Sequence, residues 1–554
     1  VSRRVSRARL GGERALLPLW ASLLLAAVSG VALDDGFPDL GWWPMTFVGI
    51  GMVLVAMRGR RPRSALLVGF VAGVCFYLIH IEWASLFLGP LPMTALAVLE
   101  SLFVALGTMC IALAYQWVPR AWPGRAGRLV LLPIVVAGIW TAREGIASVW
   151  PYGGFAWGRV ALSQSQSPLA HLFAWVGVSG VSFLMVLVVA LTLELAVSGQ
   201  SSARTPGIAA PMLPGEGGAP TRGAARLTRV AVPLLALTLL VVVPAFPLVL
   251  SGSTTVAAVQ GDGPAGYFQP HNEGDLLAAQ YAATIPLYGR RVDMVIWPEG
   301  ASDLDPLESR AGAAVFDEVS RRMNAPLIAG TITHRGSKFY NTSLLWEAGK
   351  GAVDFYDKKH PVPFGEYVPD RAFWRPFAPS LIDLIGRDYT PGTTDTVFDV
   401  NGVIAGIDIC FDISDDNVMR ESVLSGAQFL IAQTNNADFG HTDESVQQLA
   451  IARIRAMELG RSLVNDSTVG TSAIIAPDGS TIRQLTPFTA ATMVARVPLS
   501  TTVTPAAVAG SGIELFVGIL GLGGLLAAIV AGKRNAPPAP AGEGTGRRRG
   551  RTSR

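Results

Sequence analysis

Apolar runs long enough to cross a lipid bilayer recur along this chain, and no fold in water could bury them all. A spanning helix needs about 20 mostly apolar residues, because lipid offers no partner to a free backbone group while a helix satisfies its own. Eight stretches qualify, near 16–33, 37–57, 64–84, 93–115, 129–146, 169–197, 230–250 and 513–531. Hydrophobic residues make up 50% of the 554, which suits a chain solvated partly by lipid. The first run reads as a span and not as a cleaved leader, since no small-residue cleavage site leads into a soluble domain and a second apolar run follows at once.

The charges test this count independently, because Lys and Arg in short loops stay on the cytoplasmic side. Arg3, Arg4, Arg7, Arg9 and Arg14 precede the first span, and Arg58, Arg60, Arg61 and Arg63 follow the second. Arg120, Arg125 and Arg128 follow the fourth, and Arg204, Arg222, Arg226 and Arg229 follow the sixth. The loop at 85–92 has no charge, and the loop at 147–168 has only Arg159. Lys533, Arg534, Arg547, Arg548, Arg549 and Arg551 place the tail inside again. The large stretch between the seventh and eighth spans is therefore expected on the extracytoplasmic face. A net charge of +3 does not point to nucleic acid. The Ser/Pro/Gly-rich stretch at 198–221 and the tail from 535 read as disordered linkers.

Within the outer stretch, short β-branched runs end in polar residues at 254–260, 293–297, 327–332, 342–346, 403–409 and 429–433. They predict buried strands. Amphipathic helical stretches at 308–323 and 446–459 lie between them, so a layered α/β domain is expected. Catalytic groups on such a scaffold gather at strand ends.

Three such ends carry reactive residues. Glu299 follows Val295, Ile296, Trp297 and Pro298, the proline being expected to halt the ladder. Lys358 follows Tyr356 and Asp357, and Cys410 leaves the apolar run 403–409. Taken singly, Glu299 could neighbour a helix N-terminus, Lys358 could be a solvated charge and Cys410 a small buried residue. Together they supply the parts of acyl transfer: a thiol nucleophile, a carboxylate base in a desolvated pocket, and a cation for the tetrahedral oxyanion. Of the three cysteines, Cys75 and Cys110 lie in apolar spans, which leaves Cys410 as the only thiol of the outer domain and excludes a disulfide framework. The six histidines are scattered, and no metal site is expected. Gly261, Gly263 and Gly266 fit a dinucleotide fingerprint after a strand, but Pro264 restricts the turn and such a site would leave Cys410 and Lys358 unused.

The order Glu299, Lys358, Cys410, in the settings Trp-Pro-Glu, Tyr-Asp-Lys and Cys-Phe-Asp, resembles the nitrilase superfamily of carbon-nitrogen hydrolases. The loop Val362, Pro363, Phe364, Gly365, Glu366, Tyr367, Val368, Pro369 is similar to that of apolipoprotein N-acyltransferases, the branch that joins such a domain to eight membrane helices. The segment 150–183, with Tyr152 to Trp157 and Gly177 to Phe183, is similar to that family's loop before the sixth helix. The family more often has Tyr and Glu where this chain has Phe411 and Asp412, a tryptophan near Tyr267 and Phe268, and Arg-Ala at Asn465 and Asp466.

The resemblance implies a polytopic α-helical membrane protein with about eight transmembrane helices and an extracytoplasmic nitrilase-like α-β-β-α sandwich. It implies a basic cytoplasmic N-terminus at 1–15 and seven spans within 16–250, with a disordered loop at about 198–228. The catalytic domain would cover 251–510, the eighth helix 511–532, and a basic cytoplasmic tail 533–554. Cys410, activated by Glu299 and with Lys358 at the oxyanion, would take a fatty acyl chain from a membrane phospholipid as a thioester and pass it to the α-amino group of a diacylglyceryl-cysteine at a lipoprotein's N-terminus. Glu366 would support the cluster, with Phe411 and Asp412 as supporting or substrate-binding neighbours. A monomer without cofactor, in a bacterial inner membrane, is expected. Two rivals stand: a membrane-tethered amidase using the same Glu-Lys-Cys triad, and a non-enzymatic scaffold. The apolar and aromatic segment Phe373, Trp374, Phe377, Leu381, Ile382, Leu384, Ile385 is readable either as a lid at the lipid headgroups or as a packed core loop.

Overall fold

The structure, a computed structural model, describes residues 15–201 and 222–535. The basic N-terminus at 1–14, the tail from 536 and residues 202–221 of the expected loop lie outside the described residues; the flanking helices run to Ser201 and from Arg222.

Every expected span meets a helix. Among the described residues five are long and apolar enough to cross a membrane: Pro62–His80, Pro90–Ala121, Gly127–Ala147, Ala170–Val197 and Pro505–Arg534. Leu19–Asp34, Pro44–Met57 and Ala231–Val241 are shorter apolar helices, so a count of eight is approximate. The seventh departs from expectation: the helix ends at Val241 and the chain runs irregularly to a strand at Leu250. Pro244 and Pro247 explain it, since each lacks a backbone donor and disfavours helical backbone in the residue before it. The bundle packs closely where small residues meet. A Cβ on Gly138 would fall 2.5 Å from the backbone nitrogen of Gly521 in the last helix, so only glycine permits that approach.

The second half is a sandwich of two six-stranded sheets. The strands are β1 Leu250–Gln260, β2 Met294–Ser302, β3 Leu327–Arg335, β4 Lys338–Glu347, β5 Gly351–Asp357, β6 Val397–Val400, β7 Val403–Ile409, β8 Phe429–Thr434, β9 Leu463–Ser467, β10 Ala473–Ile475, β11 Thr481–Gln484 and β12 Ala491–Ser500. One sheet runs β12-β1-β2-β3-β4-β5 and the other β11-β10-β9-β8-β7-β6. Val256, Met294, Ile296 and Ile328 of the first meet Ile407, Ile409, Phe429 and Ile431 of the second in a fully buried core. Alternate residues Ala257, Val259, Val295 and Trp297 point the other way, against helices Asp275–Thr284 and Arg310–Met323. Burial on both faces explains why these strands read as unbroken apolar runs.

Two expectations need correcting. Pro298 does not end its strand: β2 continues to Ser302, and the ladder with β3 shifts register between Trp297 and Ser302, which lifts Pro298 and Glu299 out of the pairing. The stretch expected as the amphipathic helix 446–459 is the helix Glu444–Leu459, and its polar face does not meet water. It lies against the membrane bundle. Gln447 accepts from the indole nitrogens of Trp83 at 3.1 Å and Trp157 at 2.8 Å.

The deepest joint between bundle and sandwich is electrostatic. Arg159, in the loop before the kinked helix Phe173–Ser201, donates to Asp416 at 2.9 Å. Arg455 donates to the same carboxylate at 2.6 Å and to Glu458. Glu458 in turn accepts from the backbone of Val178, beside Gly177, whose φ of +66° breaks the membrane helix there. Burial works against the charge on Asp416, but the two guanidinium groups outweigh it and hold the carboxyl well below the usual carboxylate range. A group depressed in this way stabilises the fold above the ordinary carboxylate pKa, and the contribution is lost as pH falls through the depressed value. Asp416→Asn should therefore lower stability by roughly 2 kcal/mol at neutral pH, less than the full loss of a buried pair, because Glu458 still pairs with Arg455 and Glu514 lies 3.7 Å from Arg159. In thermal unfolding in micelles, the gap from wild type should narrow below about pH 4.

Candidate active site

Lys358 follows the end of β5, where period-two alternation puts it on the same inward face as Tyr356. Its backbone N–H still donates to Asn341 on β4, at 2.8 Å. The side chain is 1% exposed, and Nζ lies 2.8 Å from Glu366 and 3.4 Å from Glu299. Lys359 turns away to Glu421 at 2.8 Å. Asn341 joins the two carboxylates: its Nδ2 donates to Glu299 at 2.7 Å and to Glu366 at 2.9 Å. Glu366 sits in a tight turn closed by its own backbone bond to Val362, and its carboxylate accepts from the Val362 N–H at 2.6 Å.

Cys410 is the first residue past β7 and opens a turn of 3-10 helix, Cys410–Ser414. Its φ is +53°, a left-handed conformation that costs a non-glycine residue about 1–2 kcal/mol. The turn is held by what surrounds it. Arg455 donates to the carbonyls of Ile413 at 2.9 Å and Ser414 at 3.1 Å. Asp412 accepts from the Tyr356 hydroxyl at 2.7 Å and from the His360 N–H at 2.8 Å. One carboxylate thus ties the lysine-bearing strand end to the cysteine-bearing turn. Phe411 stacks on Phe155 and Trp157 of the bundle, with planes within 16° and 9°. A phenyl ring suffices for that contact.

The thiol lies beside Glu299 and the amide of Gln448, whose Nε2 is 3.6 Å from Sγ. Burial pushes the Cys410 thiol well up, the Glu299 charge adds to this, and Lys358 opposes it. Burial also raises Glu299, against the pull of Lys358. Burial penalises the charge on Lys358, but Glu366 and Glu299 outweigh it and hold the ammonium well above its usual range. Such a site rests as a neutral thiol beside a carboxylate of raised basicity and a permanent cation. That set can pass a proton from sulfur to carboxylate as sulfur attacks a carbonyl, and can stabilise the resulting oxyanion.

The first segment after β1 opens no helix: the next one begins at Asp275, so the glycines from Gly261 to Gly266 lack the helix N-terminus a dinucleotide site needs. Tyr267 and Phe268 pack instead around Phe87 of the bundle, with centroids 5.8 Å and 5.6 Å away. The segment Phe373 to Ile385 divides its apolar residues. Ile382 and Ile385 are buried beside Phe87 and Leu88, while Phe373, Phe377 and Leu384 face outward.

Comparison with known proteins agrees with this architecture. Residues 29–191 match the apolipoprotein N-acyltransferase N-terminal domain and residues 255–505 the carbon-nitrogen hydrolase model. The chain is 33% identical to the apolipoprotein N-acyltransferase of Mycolicibacterium smegmatis, over 97% of this chain and 89% of that protein. The chain belongs to the apolipoprotein N-acyltransferase family. It is an acyltransferase with a carbon-nitrogen hydrolase catalytic domain. Its identity to the Azotobacter vinelandii apolipoprotein N-acyltransferase is 26%, over 88% of this chain and 91% of that one. Among solved structures, an amidase of the nitrilase superfamily from Nesterenkonia AN1 aligns at a TM-score of 0.36 and 15% identity, covering 46% of this chain and 94% of that one.

Four site residues escaped the sequence reading: Asn341, Asn436, Glu444 and Gln448. Asn341 precedes the apolar part of its strand and looks like a turn residue. Glu444 and Gln448 are one helical turn apart, and only that spacing hints that both face one point. Replacing Asn341 with leucine removes a donor shared by two carboxylates, a loss of about 1.5–3 kcal/mol that corresponds to roughly 10- to 100-fold in kcat/KM. Because the Asn341 hydrogen bond holds Glu299 down, its loss raises Glu299 further. The acidic limb of the kcat/KM profile for acyl transfer should move to higher pH, and a limb that stays in place would sink this assignment of Glu299 as the titrating base.

Proposed function

We propose that this chain transfers a fatty acyl group from a membrane phospholipid, through a thioester on Cys410, to the α-amino group of the diacylglyceryl-cysteine at a lipoprotein's N-terminus. The observation that carries this reading is the closure of Glu299, Lys358, Glu366 and Asn341 around one buried point beside the Cys410 thiol. As sulfur attacks the ester carbonyl, Glu299 takes its proton and Lys358 stabilises the oxyanion. Collapse expels the lysophospholipid alkoxide, which recovers the proton from Glu299. The lipoprotein amine then attacks the thioester, the carbon–sulfur bond breaks, and the amine proton passes through Glu299 to the departing thiolate. Glu366 and Asp412 position Lys358 and the Cys410 turn.

The sandwich would stand on the extracytoplasmic side of a bacterial inner membrane. The arginine pattern supports this, together with the contacts of the sandwich with the uncharged loop around Phe87 and with the turn at Tyr152, whose hydroxyl donates to Asp370 at 2.9 Å. Outward-facing Phe373, Phe377 and Leu384 suit a segment lying at the headgroups, from which an acyl chain reaches the site.

Incubation of the purified protein with phospholipid should give an acyl adduct on Cys410 that hydroxylamine removes, seen by intact-mass spectrometry. Cys410→Ser should lose both the adduct and N-acylation of a diacylated lipopeptide. Release of free fatty acid with no N-acyl peptide would favour the hydrolytic reading instead. Orientation is read separately: an impermeant thiol reagent should reach Cys410 from outside intact cells once the headgroup segment is opened, and labelling confined to the cytoplasmic side would reverse the topology.

A further inference from the structure

The Cys410 sulfur has a second polar neighbour besides Glu299, and the polarity of that neighbour is dictated from a distance. Gln448 is 1% exposed, one turn into the helix Glu444–Leu459, and its Nε2 lies 3.6 Å from Sγ, a hydrogen-bond distance for the large sulfur atom. An amide can present either its oxygen or its nitrogen, so the question is what sets its direction. Asn436, just past β8, settles it. Its Nδ2 donates to Gln448 Oε1 at 2.9 Å and to Glu444 at 2.7 Å. Asn436 is itself oriented, because its Oδ1 accepts from the Ser467 hydroxyl at 2.6 Å. The Ser467 oxygen in turn accepts from the backbone N–H of Gly470 at 2.9 Å, which leaves its own proton to point at Asn436.

The chain of donation therefore runs one way, from Gly470 N–H to Ser467, to Asn436, to Gln448, to Cys410. It starts at a backbone donor. Gly470 has to be glycine for this geometry, as a Cβ there would lie 2.1 Å from Asn436 Oδ1. Every member up to Gln448 is buried and only Cys410 is partly exposed, so water does not compete for the bonds that orient the amide.

We infer that Gln448 is a further catalytic residue, an oriented N–H donor to the Cys410 sulfur that stabilises the thiolate when it forms and when it leaves. The inference rests on the acyl-transfer reading for its use but not for its test. In acylation, the proton moves from sulfur to Glu299 and the carbon–sulfur bond forms, with the Gln448 hydrogen bond strongest on the thiolate between those events. In aminolysis, the carbon–sulfur bond breaks and the same donor receives the departing thiolate before the amine proton returns to it. Lys358 serves the oxyanion, and Gln448 serves the sulfur.

The test is the pH profile of Cys410 alkylation by iodoacetamide, which needs no acyl substrate. The charged groups facing the thiol are Glu299, Lys358, Glu444 and Glu366, and none of them is altered in the variants. Gln448→Met keeps the volume and removes the donor, while Gln448→Asn keeps the amide but withdraws it from sulfur. In each variant that folds, the alkylation inflection should move to higher pH and single-turnover acylation by phospholipid should fall about 10- to 100-fold. Gln448→His, which can accept from Asn436 at one ring nitrogen and donate to sulfur from the other, should recover part of both. An unmoved alkylation profile in either folded variant would overturn the inference, whatever happens to turnover. If wild-type Cys410 forms no acyl adduct while the profiles still shift, the acyl-transfer reading fails and the hydrogen bond stands.

Discussion

The arrangement of this molecule turns on one carboxylate, Asp416, shared between a guanidinium of the membrane half and one of the sandwich. Arg159 reaches it from a loop between membrane helices, and Arg455 reaches it from the helix Glu444–Leu459. Arg455 also binds the carbonyls of Ile413 and Ser414, within the turn that begins at Cys410. The Cys410 turn, where the proposed nucleophile sits, is therefore tied to the membrane bundle through two side chains. This matters for an enzyme whose reaction depends on lipid placement, because a small displacement of the reacting atom costs a large factor in rate. A charge buried at such a joint is costly unless paired, and here each member has more than one partner.

The same economy appears inside the site. Three carboxyl-bearing residues, Glu299, Glu366 and Asp412, surround one lysine, and each is anchored: the first two by the shared Asn341 amide, the third by Tyr356 and the His360 backbone. Burial disfavours the charge on Lys358, yet its carboxylate neighbours outweigh that and keep it charged. Burial and Glu299 together keep the thiol protonated at rest. An unpaired thiolate in an oxidising compartment would be exposed to oxidation, so a thiol that ionises only as it attacks suits the proposed location.

Much of this was legible in the chain. The apolar runs of β1, β3, β7 and β8 stand out because both faces of each sheet are covered, and Cys410 and Glu299 stand out because each interrupts such a run with a reactive group, whereas Lys358 follows Tyr356 and Asp357 at the end of the mostly exposed β5. Other parts were hidden for definite reasons. β9 is buried yet reads Leu-Val-Asn-Asp-Ser, a polar strand whose Asn465 side chain bonds to the Thr471 carbonyl and whose Asp466 accepts from the Val259 backbone. The helix Glu444–Leu459 looks amphipathic, yet its polar residues meet the active site and the membrane bundle and not water. Asn341, Asn436 and Gln448 are single amides, and an amide in a sequence has no sign of what it will touch.

Sequence alone determined the two-part architecture, the basic loops and the identity of the three reactive groups, because length, hydropathy and the ends of apolar runs are local properties. Only the tertiary structure decided that Glu299 sits in a bulge within β2 and that Gln448 presents nitrogen and not oxygen to Cys410. The physical reason is common to both: each depends on which distant donor or acceptor a group finds, and those partners are brought together by the fold and not by their order in the chain.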